Sequence, residues 1–258
     1  MPAPLPPIVE FREATKRFGD GPLVLDLLNL AVQPGEFVSL IGPSGCGKST
    51  LLRLIAGLTP LSAGSLTVDG RSPDAAAADL AFVFQEPTLL PWRTVTANVE
   101  LPLSLRGIPP AERTVTRRRV LDLVRLSEKA DAYPRQLSGG QKMRVSIARA
   151  LALSPKILLL DEPFGALDEM TREHLNEELL TIRERQAWTA FFVTHSVAEA
   201  VFLSNRIFIF SANPGHLHTE IKIPFPYPRT EETRLSRPYH DLVADVSRIL
   251  RTVELDTV

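Results

Sequence analysis

An α/β fold built on a largely parallel sheet is what this chain predicts, and three observations carry the prediction. Short apolar runs of strand length recur at 37–41, 80–84, 155–160 and 189–193, each bounded by turn residues. Runs without polar alternation mark strands that are buried on both faces. Segments of helical spacing separate these runs, the alternation that builds βαβ units. The first strand also feeds a glycine-rich turn and then a helix, reading FVSLIGPSGCGKSTLLRLI over 37–55.

The other elements follow in order. Residues 1–7 are a proline-rich tail, predicted to be disordered, and 8–258 form one domain. Residues 8–12 and 24–32 are apolar and predict strands, with a turn at 16–21 that carries one aromatic, Phe18. Pro34-Gly35 turns the chain into the 37–41 strand. A further short strand is predicted at 64–70, then a surface loop over the small, polar stretch 72–78. Beyond the 80–84 strand and Gln85 the strand signals stop. Helices are predicted at 95–106, at 111–126 (Val120, Leu121 and Val124 at helical spacing) and at 141–153. Residues 86–153 are therefore a helical subdomain inserted into the α/β core. Strands and helices then alternate, with strands at 155–160, 189–193 and 206–210 and helices at 170–184 and 197–203. The last part, 215–258, combines an extended surface segment, marked by Pro224, Pro226 and Pro228, with a closing helix over 241–253.

Bulk properties narrow the function. The 258 residues, 44% of them hydrophobic, suffice for a sizeable core. A net charge of −1 points to neither nucleic acid nor a strongly anionic surface. Arg117-Arg118-Arg119 reads as a solvated helix face. With no basic start, no leader-like apolar run and no bilayer-length stretch, the expectation is a cytoplasmic protein, soluble or peripheral. The single cysteine, Cys46, excludes an internal disulfide and a cysteine-based zinc site. It sits in the glycine-rich turn, where it can supply a backbone N–H or, at a helix N-terminus, a redox-sensing thiol.

Gly42, Gly47, Lys48 and Ser49 fit G-x-x-x-x-G-K-[ST], the phosphate-binding loop. Across Gly42-Pro43-Ser44-Gly45-Cys46-Gly47-Lys48-Ser49-Thr50, glycines let backbone N–H groups curl around an anion at which the next helix points its positive end. Lys48 adds charge for the β- and γ-phosphates, and the Ser49 hydroxyl can ligate Mg²⁺. A nucleoside triphosphate is the expected ligand. ILLLDE at 157–162 ends a buried strand in two carboxylates, Asp161 suited to the Mg²⁺ shell and Glu162 to polarising water. Gln85 and His195 end two further strands at the same sheet edge, Gln85 able to ligate Mg²⁺ or orient water and His195 to donate to a γ-phosphate. Leu137-Ser138-Gly139-Gly140-Gln141 opens a helix with two glycines, again freeing N–H groups for an anion.

In this order GPSGCGKST, Gln85, LSGGQ, ILLLDEP, Gly165-Ala166-Leu167-Asp168 and Val193-Thr194-His195 resemble the ATP-binding cassette (ABC) ATPases, over about residues 8–250. LSGGQ is that family's signature. The resemblance implies a P-loop NTPase fold of the ABC ATPase kind: a mostly parallel core sheet, an N-terminal antiparallel β portion and an inserted helical subdomain. It implies ATP and Mg²⁺ as cofactors and a head-to-tail homodimer with two shared ATP sites. In that dimer Ser138, Gly139, Gly140 and Gln141 of one copy would reach the γ-phosphate held by the other. Phe18 would stack on adenine, Asp168 would lie at the dimer seam, Glu162 would be the general base and His195 the switch histidine.

Pro91-Trp92-Arg93-Thr94-Val95, Asp161-Glu162-Pro163-Phe164 and Glu199-Ala200-Val201-Phe202-Leu203 resemble one branch, the ATPase subunits of nitrate, sulfonate, taurine and bicarbonate importers. Ser196 stands where those importers usually have Asp, and Phe18 where Tyr is common; neither change touches the hydrolytic groups. The branch implies transmembrane permease subunits as partners, a solute-binding protein indirectly, no nucleic acid, and a peripheral place on the cytoplasmic face of the inner membrane. Leu89, Leu90 and Trp92 fit either a groove for a permease helix or internal packing. The rival expectations are a non-transport ABC ATPase acting on nucleic acid or ribosomes, or an ABC ATPase serving another solute class.

Overall fold

A computed structural model describes residues 6–186 and 188–255. Most of the predicted N-terminal tail, residues 1–5, lies outside the described residues. The chain begins with β1 (Val9–Arg17), β2 (Leu23–Val32), β3 (Phe37–Ile41), α1 (Lys48–Ile55) and β4 (Ala63–Val68). β1 lies between β2 and β4, antiparallel to both, in a three-stranded sheet. Lys16 and Arg17, expected in a turn, extend β1, because β2 pairs with it to its end.

Residues 72–78, expected to be loop, hold α2 (Pro73–Ala76) and a 3₁₀ turn, Ala77–Asp79. Pro73 is preset for a first helical turn and alanine has the highest helix propensity, so the correction follows from local chemistry. Next come β5 (Leu80–Val83), α3 (Val95–Leu105), α4 (Pro110–Leu123), α5 (Gly139–Leu151) and β6 (Ile157–Asp161). Thr94 starts α3 by accepting the Ala97 N–H at 3.2 Å. After them stand α6 (Glu169–Arg185), β7 (Thr189–Val193), α7 (Val197–Leu203), β8 (Arg206–Ser211), β9 (His216–Lys222), α8 (Glu231–Leu235) and α9 (Arg237–Leu255).

The second sheet has the order β5-β6-β7-β3-β8-β9 and is parallel except for β9. Its central strands β3 and β7 are buried at every position, which is why they read as unbroken apolar runs. Two cores cover its faces. Phe37, Ile41, Leu158, Leu160 and Phe192 face the helices α3 to α7 and α9. Val38, Leu40, Leu159, Phe191 and Phe208 face α1 and the antiparallel sheet. Register sets the geometry of the exposed edge. Leu40 pairs with Val193, Val193 with Asp161, and Leu160 with Val83. The residues that follow, at Gly42, Gln85, Glu162 and His195, therefore leave the sheet within about a residue of the same level.

Among the described residues no helix is long and apolar enough to cross a membrane. The C-terminal part departs from expectation. The residues before the proline segment form β9, and the 220–229 segment is not a free surface strand: Arg229 is buried. Its guanidinium donates to the carbonyls of Val201 at 3.0 Å and Phe202 at 2.8 Å, the last turn of α7, and to Phe225 O at 2.8 Å. Tyr227 Oη donates to Leu203 O at 2.6 Å, and the Arg229 guanidinium stacks 4.2 Å from the Tyr227 ring centroid. These donors satisfy carbonyls that a helix end leaves without partners. Arg229→Ala is expected to lower stability by about 2–4 kcal/mol, since charged hydrogen bonds to buried acceptors are lost. That corresponds to a drop of roughly 5–10 °C in the thermal midpoint, measured by scanning calorimetry. A midpoint within about 1 °C of wild type would contradict the capping role.

Candidate active site

The phosphate loop folds as it does because its glycines occupy positions closed to other residues. At Gly42 (φ +155°) an added Cβ would lie 2.5 Å from the carbonyl oxygen of Phe210 on β8. At Gly47 (φ +95°) it would lie 2.7 Å from Leu25 Cδ2. No side chain caps α1, its first turn holds no acid, and its first intrahelical bond is from Leu51 N–H to Gly47 O at 2.8 Å. The N–H groups of Lys48, Ser49 and Thr50 precede that bond and belong to the positive end of the helix. Lys48 is almost fully buried; its Nζ donates to Gly42 O at 2.8 Å and Pro43 O at 2.9 Å. The loop thus folds around its own ammonium group, which an arriving phosphate would take over.

A hollow of about 300 Å³ opens in front of the loop, lined by Val24, Ser44, Gly45, Gly47, Lys48, Ser49, Thr50, Glu162 and His195. Gly42, Pro43 and Cys46 do not line it and form the loop behind. Of the two roles open to Cys46, its surroundings disfavour the redox-sensing thiol. The residue is fully buried, packed into the core under β3, and burial pushes its thiol pKa up against the opposing charge of Lys48. Its N–H makes one long bond, 3.4 Å, to Pro43 O.

Ser49 Oγ donates to Asp161 Oδ1 at 2.8 Å. Burial pushes the Asp161 carboxyl pKa up, and the charge of Glu162 adds to the rise, against the Ser49 hydrogen bond. Among the described residues no cluster of three or more His, Cys, Asp or Glu side chains could hold a metal ion. A cation here would take oxygen ligands from Ser49, Asp161 and a bound phosphate. That hard, all-oxygen set suits Mg²⁺.

Glu162 has a left-handed backbone (φ +47°), a conformation that costs a non-glycine residue of order 1–3 kcal/mol. Its N–H is held by Val193 O at 3.0 Å, and its carboxylate Oε1 lies 2.9 Å from His195 Nε2. His195 is half exposed and Glu162 about a fifth exposed. A second hollow of about 340 Å³ shares Glu162 and His195 and adds Gln85, Gly165, Arg172, Thr194 and Glu199. Val24, Arg172, Thr194 and Glu199 were not singled out as site residues in the sequence, since only tertiary packing brings them there.

Two groups of predicted residues lie apart from the phosphate hollow. Phe18 stands half exposed on the turn after β1, with Lys16 Nζ 4.5 Å from its ring centroid. Ser138, Gly139, Gly140 and Gln141 open α5 and line neither hollow. Ser138 Oγ accepts the Gln141 N–H at 3.3 Å and Gln141 Oε1 accepts the Ser138 N–H at 3.0 Å, a reciprocal cap. Gly140 is needed for packing as well, because a Cβ there would lie 2.9 Å from Thr171 Cγ2. Asp168 caps α6 by accepting the Thr171 N–H at 3.0 Å.

The family model described as ABC transporter matches residues 25–165. A nitrate import ATP-binding protein of Synechocystis sp. is 47% identical over 217 residues, covering 84% of this chain and 81% of its own. An aliphatic sulfonates import ATP-binding protein of Bacillus subtilis is 47% identical over 210 residues, 81% of each chain. A solved ATP-binding cassette, a dimer in a post-hydrolysis state bound to ADP and Pi, is 34% identical, with a TM-score of 0.74 over 84% of this chain and all of its own. A family match over more than half the chain, joined to such identity over four fifths of it, means that this chain belongs to the ABC transporter family, among its ATP-hydrolysing ATP-binding subunits.

Proposed function

We propose that this chain is the ATPase of an importer, working as a head-to-tail pair at the cytoplasmic face of a membrane and driving a small anionic solute of the nitrate or sulfonate type through a partner permease. The observation that carries the pairing is the separation of the two phosphate-binding elements. The hollow at Lys48 is lined by none of residues 138–141, and the exposed Ser138 and Gly139 at the start of α5 lie outside it. A second copy turned about a two-fold axis brings that helix start to the first copy's phosphates, and dimeric cassettes occur among similar structures. The import names of the relatives at 47% identity support the solute class and the need for a permease. In such a system a solute-binding protein delivers the cargo. Residues 8–258 act as one unit, the 86–153 helical subdomain facing the permease.

The residues divide the chemistry. Lys48 and the N–H groups of Ser44, Gly45, Gly47, Lys48, Ser49 and Thr50 hold the phosphates and spread their charge. Phe18 supports the adenine. Ser49, Gln85 and Asp161 would hold Mg²⁺, which would neutralise phosphate charge. Glu162 orients the attacking water through Oε2 and takes its proton as the water oxygen adds to the γ-phosphorus and the bond to the β-phosphate oxygen breaks. His195 Nε2 donates to the γ-phosphate and, before it arrives, keeps the Glu162 carboxylate in place. ATP favours the closed pair because half of each site lies on the other copy; hydrolysis removes that differential affinity, and the pair opens.

Glu162→Gln keeps the shape of the site without the base. It is expected to bind ATP normally, to lose turnover by about 10²–10⁴-fold and to accumulate as a dimer, read by light scattering. A fully active variant would contradict the assignment. Lys48→Ala is expected to lower ATPase activity by at least about 10²-fold, checked by phosphate release; an unchanged rate would refute the loop reading. For transport, uptake of nitrate and of a sulfonate is measured in cells carrying the chain with its permease. Wild type is expected to drive one of them and Glu162→Gln neither. ATPase activity without uptake of any small anion, or recovery of the chain from cells with nucleic acid and no permease, would overturn the importer reading.

A further inference from the structure

Resting on the reading of His195 given above, we infer that Glu199 is a positioning residue: its buried carboxylate fixes the turn that carries His195 and ties it to the 165–168 turn. Glu199 lies in the first turn of α7 and is 5% exposed. Thr194 Oγ1 donates to its Oε2, and Asn176 Nδ2 on α6 donates to its Oε1 at 3.5 Å. Its own N–H donates to Ser196 Oγ at 3.3 Å, and the Ser196 N–H donates to Thr194 Oγ1 at 3.0 Å. The carboxylate therefore holds Thr194 directly and Ser196 through Thr194 Oγ1, with the Glu199 backbone N–H as a second tie to Ser196, while the imidazole of His195 stays half exposed toward Glu162.

The connection continues into α6. Arg172 Nε stands 4.0 Å from Glu199 Oε1, and Arg172 Nη2 donates to Leu167 O at 2.8 Å. One polar chain thus runs from the Leu167 carbonyl through Arg172, Glu199 and Thr194 to His195. Glu199 and Arg172 also form part of the wall of the hollow shared by Gln85, Glu162 and His195. A buried acid is costly unless paired, and burial pushes this carboxyl up despite its donors. The charges facing it are Arg172 from α6 and Arg234 from α8. A side chain needed only to start α7 could have been Ser196 alone, which already caps the helix. The extra acid serves the turn.

The test uses the full chain and five variants, with ATPase kcat and KM, the number of ATP-analogue molecules bound per chain, and thermal melts. Glu199→Ala is expected to lower kcat about 10-fold or more, with KM and binding stoichiometry within about threefold of wild type. Glu199→Gln is expected to keep at least a third of kcat, because its carbonyl still accepts from Thr194 and its amide can meet the otherwise unpartnered Asn176 Oδ1. Thr194→Val is expected to match Glu199→Ala and Thr194→Ser to match wild type, which keeps the inference testable if Glu199→Ala fails to fold. Wild-type kcat in folded Glu199→Ala or Thr194→Val overturns it. So does a loss that appears as fewer bound ATP-analogue molecules rather than slower turnover, or an equal loss in Glu199→Gln. His195→Ala separates the two readings: if it hydrolyses at the wild-type rate, the role of His195 fails, whereas a slow His195→Ala beside a fast Glu199→Ala removes only the present inference.

Discussion

The register of four parallel strands is the constraint on which the rest of this molecule depends. β3, β5, β6 and β7 end at one level, so the phosphate loop, Gln85, Glu162 and His195 leave the sheet side by side. A slip of one residue in any pair would exchange the side chains that face the two cores and carry the attached functional group away from the others. The two apolar cores on opposite faces hold that register in place. The catalytic edge can therefore carry strain, such as the left-handed backbone of Glu162, that a loop alone would relax.

Within the frame, each charged group is held by another part of the site before any ligand arrives. Lys48 rests on the carbonyls of its own loop, Asp161 on Ser49, and Glu162 on His195. These are polar contacts of groups poised to change partner, because phosphate and cation offer the same donors and acceptors with more charge. The 138–141 turn follows the same logic at a distance. It is a capped helix start at which Ser138 and Gly139 are exposed and Gly140 is packed against α6.

Much of this was legible in the sequence. The buried strands announced themselves as unbroken apolar runs; the motifs at 42–50 and 161–162 lie at the end of the parallel strands, and 138–141 opens a helix, α5. What was not legible has physical reasons. β9 reads HLHTEIK, where the alternation is carried by only a few apolar residues and the following prolines suggest a free segment. The burial of Arg229 depends on α7 carbonyls far away in sequence. The Pro73–Ala76 helix was hidden by its small residues, and the reactivity open to Cys46 was cancelled by packing that no local pattern shows. Glu199 could be seen only as part of a family-like stretch; its role emerges from the partners that α6 and the 194–196 turn supply.

The central claim is that one chain holds half of an ATP site. The most direct measurement is ATPase activity per chain as a function of protein concentration, with sedimentation run in parallel. The account predicts that specific activity falls as dilution leaves only monomers and rises again where dimers form. Specific activity that stays constant down to concentrations at which every chain sediments as a monomer would contradict it.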